Sequence, residues 1–167
     1  MARNIEIKAR VSDLAEIRAR VLALGCRGEE HLRQSDTFFQ VARGRLKLRE
    51  FGDGSGELIF YERPDDAGAK LSRYERLPCA EPELMRRILS AALGVKGSVK
   101  KKRHVLLVGN TRVHLDEVEG LGSFVELEVV LGESEPTAAG EQVAAELMHA
   151  LGIEPSSLLS GAYLDLL

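Results

Sequence analysis

The chain has 167 residues with 44% apolar content, long enough for one domain with a real core, and no linker-like stretch interrupts it. Its formal net charge of −3, with 29% charged residues, excludes a global basic field of the kind that marks nucleic-acid binders, so charge placement must carry the functional argument. Cys26 and Cys79 stand alone without CxxC spacing, which excludes a disulfide framework or a zinc ribbon and suits a reducing compartment.

In chain order, Met1 to Asn4 lead directly into a strand-like segment over 4–10. No signal-peptide apolar region and no bilayer-length run is found, so the expected compartment is the cytoplasm and no membrane partner is expected. A first amphipathic helix follows: Ser12 or Asp13 can cap it, Leu14, Ile17, Val21 and Leu24 form its stripe, and Gly25 suits its end. Strand-like segments then run at roughly 30–39, 44–50, 57–63 and 70–77. A second helix begins near Pro82 and places Leu84, Ile88, Leu89 and Leu93 on one face before Gly94. Segments at 98–108, 111–118 and 124–131 complete about eight strands. A third helix after Pro136 and Thr137 aligns Val143, Leu147, Met148 and Leu151 before Gly152. Glycine-bearing turns at 52–56, 109–110 and 120–122 read as hairpins, which favours an antiparallel sheet. The order of elements hints at a twofold repeat of strand, helix and three strands, although no sequence similarity supports it.

Side chains alternate faces along a strand, so each segment divides into two sets. Asn4, Glu6, Lys8 and Arg10 oppose Ile5, Ile7 and Ala9. Arg45, Lys47 and Arg49 oppose Leu46 and Leu48; Arg112, His114 and Asp116 oppose Val113 and Leu115; Glu126 and Glu128 oppose Val125, Leu127 and Val129. A sheet with one solvated face would give such alternation too. Here, however, charges of one sign gather on single strands, and three apolar helices need a sheet surface to cover. The arrangement predicted is α+β: a closed or nearly closed antiparallel eight-stranded β-barrel with helices packed outside and charged faces turned inward. A dry interior of that kind would cost several kcal/mol per ion, so the interior must be wet, paired and meant for a ligand.

The inward cations are Lys8, Arg10, Arg45, Lys47, Arg49, Arg73, Lys101, Arg103 and Arg112, and the inward acids are Glu6, Glu75, Asp116, Glu126 and Glu128. A surplus of cations suits a polyanion, and clustered carboxylates suit a hard divalent ion bound through oxygen. Phosphate with Mg²⁺ or Mn²⁺ satisfies both, and a mixed set of arginines and lysines can hold three consecutive phosphates.

The segment NIEIK at 4–8 resembles the ExExK signature of the CYTH superfamily. SDTFF at 35–39, GRLKLR at 44–49, KKKR at 100–103, HLDEVEGLGSFVELEVV at 114–130 and GAYLDLL at 161–167 resemble further motifs of that family in order, covering nearly the whole of residues 1–167 as one CYTH domain. The resemblance implies a triphosphate tunnel and a metal-dependent enzyme, class IV adenylyl cyclase-like (ATP to cyclic AMP and pyrophosphate) or an organic triphosphatase. It implies metal binding by Glu6, Glu126 and Glu128, and phosphate contacts from Lys8, Lys47, Arg49, Lys101 and Arg103. Arg10, Arg73 and Arg112 are added as substrate-binding candidates, and Lys8, Glu6 and Asp116 as catalytic ones, with Asp116 supporting the metal or orienting a basic side chain. Three departures stand out. Asn4 replaces the first glutamate; Tyr61 occupies a position where many members carry lysine, with Lys70 able to reach inward instead; and Phe38 and Phe39 lack the hydroxyl that thiamine triphosphatases carry after the DT motif.

The expected partner is a small triphosphate substrate. The alternative is a non-catalytic nucleotide- or polyphosphate-binding module, suggested by Asn4 and Tyr61. Nucleic-acid binding through residues 100–103 is not expected, because a basic run in an alternating strand divides between two faces. His31 and His149, without partners at metal-ligand spacing, read as surface groups, and His114 as an inward residue that is a hydrogen-bonded bystander by preference and a proton-transfer group as the alternative. The GDGSG turn at 52–56 joins two strands and does not open a helix, so it is not read as a phosphate loop. Tyr163 and Asp165 either cap one mouth of the tunnel or pack there, packing being the preferred reading.

Overall fold

The computed structural model describes Met1–Leu167. The strands are β1 (Ala2–Arg10), β2 (Glu29–Phe39), β3 (Arg45–Phe51), β4 (Gly56–Glu62), β5 (Lys70–Cys79), β6 (Val95–Val108), β7 (Thr111–Val118) and β8 (Gly122–Leu131), and the helices are α1 (Leu14–Ala23), α2 (Pro82–Leu93) and α3 (Thr137–Leu151). The strands close into a barrel in the order β1-β5-β4-β3-β2-β6-β7-β8. Every pairing is antiparallel. Exchanging β1–β4 for β5–β8 maps this order onto itself, with α1 and α2 in equivalent places, so the twofold pattern of elements is a property of the closed sheet.

The larger apolar core lies outside the barrel, and a smaller one of Phe38, Ile59, Tyr61, Val99, Val118, Phe124, Ala162 and Tyr163 gathers at the end of the lumen under the terminal segment. Ile5 and Ile7 of β1, Val113 and Leu115 of β7, and Val125, Leu127 and Val129 of β8 pack under Ile17 and Val21 of α1 and Ala144, Met148 and Leu151 of α3. Each fully buried side chain of this kind contributes about 1.5–3 kcal/mol, so this layer stabilises the fold without filling the lumen. α3 approaches β1 closely: a Cβ at Gly140 would stand 2.6 Å from Ile5 Cγ1 and 2.7 Å from Leu131 Cδ2. Asp13 caps α1 by accepting from the Glu16 amide at 3.1 Å.

One helix departs from expectation. In α2 only Pro82 is buried, and Leu84, Ile88 and Leu93 are exposed. α2 touches β2 and β3 only through its edge, with Pro82 against Gly56 and Arg86 on Glu50 at 3.0 Å, and α1 and α3 supply the buried apolar layer.

After α3 the chain returns to the barrel. Leu158 bridges to Ala9, and the Leu159 amide donates to the Lys8 carbonyl at 2.8 Å. A final 3₁₀ turn over Tyr163–Leu166 lays Leu164 against Gly97, where a Cβ would meet Leu164 Cδ1 at 2.5 Å. Ala162 and Tyr163 are buried. The terminal segment thus lies over one end of the barrel, where Tyr163 both packs and lines the cavity, so the capping alternative fits better than packing alone.

Candidate functional site

The barrel encloses a cavity of about 1220 Å³. Its lining follows the period-two rule: Asn4, Glu6 and Lys8 from β1; Gln34, Asp36 and Phe38 from β2; Lys47 and Arg49 from β3; Ile59 and Tyr61 from β4; Ser72, Tyr74 and Arg76 from β5; Lys101 and Arg103 from β6; Arg112 and His114 from β7; Glu126 and Glu128 from β8. The basic run divides as expected, with Lys101 and Arg103 buried and Lys100 and Lys102 exposed.

One wall gathers cations around a single carboxylate. Arg49 donates to both oxygens of Asp36 at 2.8 and 2.7 Å, Lys47 donates to it at 3.0 Å, and the Lys101 ammonium stands 3.5 Å away. Burial opposes the charge on Asp36, but Arg49, Lys47 and Lys101 outweigh it and hold the carboxyl well below its usual range. The cations feel the reverse. Burial and then Arg49 lower Lys47 to about 8, and burial and then Arg103 push Lys101 well below the lysine range. These groups are held together short of negative charge, which is the condition of a site made for a polyanion.

The facing wall carries the acids. Glu6 lies opposite Glu128, and Lys8 opposite Glu126, across the β1–β8 pair; Arg112 and His114 lie opposite Glu128 and Glu126 across β7–β8. Arg112 donates to Glu128 at 2.8 Å. Arg103 donates to Asp116 at 2.7 and 2.6 Å and to Glu126 at 3.2 Å, and the Tyr163 hydroxyl donates to Asp116 at 2.7 Å. Burial opposes the charge on Glu126, but Lys8 and Arg103 keep its carboxyl well below the usual range. Burial, reinforced by Glu128 and Glu126, raises Glu6 despite Arg63. His114 is lowered to about 4 by burial and then by Arg103, so its ring is neutral at pH 7.

The donor set fits a divalent cation. Ligand atoms of His114, Glu126 and Glu128 lie within 4.8 Å of one another. Asn4 Oδ1 and His114 Nδ1 are buried without hydrogen-bond partners. A neutral amide oxygen, two carboxylates and an imidazole suit Mg²⁺ or Mn²⁺ better than a thiolate-seeking ion.

The structure corrects several sequence expectations. Arg73 and Glu75 are exposed, while Ser72, Tyr74 and Arg76 face the cavity. Pairing of Ile5 with Leu71 and Asn4 with Ser72 sets this register, and a one-residue slip reverses every side chain. Arg10 sits at the end of β1, exposed, donating to the Leu121 carbonyl at 2.6 Å and stacked over Phe124. It does not join the phosphate-binding cations. Arg45 turns to Asp165 at 2.8 Å and Asp65 at 3.2 Å instead of lining the chamber. Asp116 is fully buried and accepts from Arg103 and Tyr163, a geometry that agrees with the second of its two expected roles, orienting a basic side chain. The trio of Glu6, Glu126 and Glu128 shares one wall, but Glu6 is bound by Arg63 at 2.6 Å and His114 completes the compact cluster.

Sequence reasoning missed Asp36, Arg63 and Arg76 as lining residues, and it did not foresee the terminal segment's contacts with Lys8, Arg63 and Lys70. Arg63 follows Tyr61 at the same parity and donates to Glu6 and, at 2.9 Å, to the Gly161 carbonyl. Asp36 lies on the face of Gln34 and Phe38, a signal available in the alternation. Lys70 reaches inward, as anticipated, and donates to the Leu159 carbonyl at 3.1 Å. Lys8 donates to the Gly161 carbonyl at 3.2 Å and lies 4.2 Å from the Tyr163 ring centroid. These long-range contacts of the terminal segment have no periodicity to announce them.

A closed eight-stranded barrel with a charged lumen is the geometry implied by the motifs, and residues 2–163 match the CYTH domain. The chain belongs to the CYTH family. This CYTH protein is 24% identical over 173 residues to the candidate adenylate cyclase MJ0240 of Methanocaldococcus jannaschii, covering 98% of this chain and 97% of that one. The PH1012 protein of Pyrococcus horikoshii OT3 has a similar solved structure, with a TM-score of 0.86, 22% identity and coverage of 98% and 99%. The candidate adenylyl cyclase HpAC1 of Hippeastrum, described with a dominant triphosphatase activity, superposes with a TM-score of 0.64 at 14% identity, covering 97% of this chain and 91% of that one. A protein named as a candidate adenylate cyclase is thus similar in sequence and one with triphosphatase activity shares the fold, and no helix here is long and apolar enough to cross a membrane.

Proposed function

We propose that this protein is a metal-dependent enzyme acting on the triphosphate of a nucleotide or another small organic substrate. The observation that carries the reading is the opposition of two walls in one chamber: Arg49, Lys47 and Lys101 sharing Asp36, and Glu126 and Glu128 beside a neutral His114. Glu126, Glu128 and His114, with Asn4 adjoining, would hold Mg²⁺ or Mn²⁺, which when bound supplies charge neutralisation at the phosphates. Arg49 and Arg103 offer forked donors to phosphate oxygens, and Lys8, Lys47 and Lys101 act as point charges. Asp116 and Tyr163 hold Arg103 in place, and the terminal segment keeps water from one end. Aimed in advance at phosphate oxygens, these donors stabilise the charge that develops on the departing group.

Two chemistries use this clamp. Attack of a ribose 3′-oxygen on the α-phosphorus of ATP gives cyclic AMP and pyrophosphate; attack of water on the terminal phosphorus gives orthophosphate. The chemistry named for the Hippeastrum relative supports the hydrolytic branch. Incubation with ATP, tripolyphosphate and thiamine triphosphate, each with Mg²⁺ or Mn²⁺, separates them by product. Failure of every substrate to exceed a Glu126→Ala, Glu128→Ala control rejects catalysis. A second reading, a non-catalytic nucleotide- or polyphosphate-binding module, is favoured by Asn4 and by the Arg63 contact that occupies Glu6. Metal-insensitive polyphosphate binding without turnover, read by calorimetry, would select it.

A further inference from the structure

We propose that Glu29, His31 and His104 form a second metal site, at the rim of the barrel, for a first-row transition ion such as Zn²⁺. β2 and β6 place His31 directly opposite His104, and Glu29 follows on the same face of β2, two residues from His31. The two imidazole centroids are 3.7 Å apart at 65°. That is nearer than the roughly 4.5–7 Å at which aromatic rings settle on each other, so the rings converge more tightly than packing alone favours. The Glu29 Oε1 atom lies 3.6 Å from His31 Nε2 and 4.0 Å from His104 Nδ1.

Around a tetrahedral zinc ion, ligand bonds of about 2.0–2.2 Å put donor atoms roughly 3.4 Å apart. The three donors here therefore need only small side-chain rotations to share one ion. A His₂Glu set leaves a fourth position, and the exposure of Glu29 and His31 gives water access to it. Imidazole nitrogens also separate this site from the chamber, where oxygen donors predominate: borderline ions suit the rim, and hard ions suit the lumen.

Glu29 is already oriented. Arg18 of α1 donates to Oε1 and Oε2, each at 2.7 Å. When Oε1 turns to an ion, Oε2 keeps its Arg18 contact, so the guanidinium becomes the outer support of a metal ligand. An ion at this place ties β2 to β6 and, through Arg18, to α1. Glu29 and His31 have the outward parity of β2 and His104 that of β6, so this ion would sit on the outside of the barrel wall, apart from the lumen.

Zn²⁺ titration of the full chain by calorimetry tests the site. A site present in the native protein is expected to survive in the Glu126→Ala, Glu128→Ala variant, to vanish in His31→Ala and in His104→Ala, and to weaken about 10–100-fold in Arg18→Ala. Imidazole proton resonances of the native protein supply a readout that needs no variant: Zn²⁺ should move the signals of His31 and His104 and leave exposed His149 in place. Equal Zn²⁺ uptake by the native and His31→Ala proteins, or unmoved His31 and His104 signals, overturns the proposal.

Discussion

The two charged walls of the chamber are made by the same rule of alternation, yet they balance their charges differently. On the β2–β3–β6 wall one carboxylate, Asp36, serves three cations. On the β1–β7–β8 wall Glu6, Glu126 and Glu128 each meet a cation of their own or a shared one, and His114 between them is neutral at pH 7. The first wall is left hungry for anions, and the second offers oxygens and an imidazole. The proposed metal–polyphosphate substrate needs both, and under that proposal the two walls would take its two halves.

The sharpest break in this comparison is to empty the acidic wall. Glu126→Ala with Glu128→Ala is expected to lower turnover of a triphosphate by at least about a hundredfold, while metal-free tripolyphosphate binding persists in calorimetry. Loss of both together would erase the distinction. Emptying the centre of the basic wall tests stability instead. Asp36→Ala leaves buried cations uncompensated and should cost about 3–5 kcal/mol in chemical denaturation. Tripolyphosphate should then stabilise the variant more than it stabilises the native protein, because it supplies the missing charge.

A subtler contrast is proton linkage. Lys47 titrates at about 8, below its ordinary 10.5, so between those values the unfolded chain holds more protons than the folded one. The unliganded barrel therefore gains stability as pH rises through that window. A bound polyanion favours the charged lysine, so tripolyphosphate binding at about pH 8 takes up protons and weakens as pH rises further. Calorimetry in buffers of different ionisation enthalpy measures the uptake, and Lys47→Met should reduce it. Smallest is the effect of returning an acid to the other wall: Asn4→Asp should lower the Mn²⁺ concentration giving half-maximal activity severalfold, with little change in metal-free binding.

Much of this chamber was legible because β1, β3, β7 and β8 keep charge on one parity and branched apolar residues on the other. That pattern gave the barrel, the outer core and most of the lining. β5 is charged on both parities, with Arg73 and Glu75 flanking Tyr74 and Arg76 next in line, so alternation alone could not select the inward face. Its pairing with β1 does so, and pairing partners are not written in a single strand. Arg63 lies just beyond β4, and its contact with Glu6 crosses to a distant part of the chain. His31 showed no ligand spacing because its neighbour, His104, is brought beside it only by closure of the sheet. α2 has an apolar stripe that the barrel leaves uncovered, so a stripe announces an amphipathic helix without naming what it covers.

The terminal segment carries a consequence for turnover. With Tyr163 and its neighbours acting as a stopper, the chamber is a dead-end passage whose visitors arrive and depart through one doorway. In the proposed reaction a product fragment at the closed end would have to leave past the one nearer the doorway before fresh substrate could settle. Release should then limit the rate, and pyrophosphate or orthophosphate should inhibit by competing with the incoming substrate.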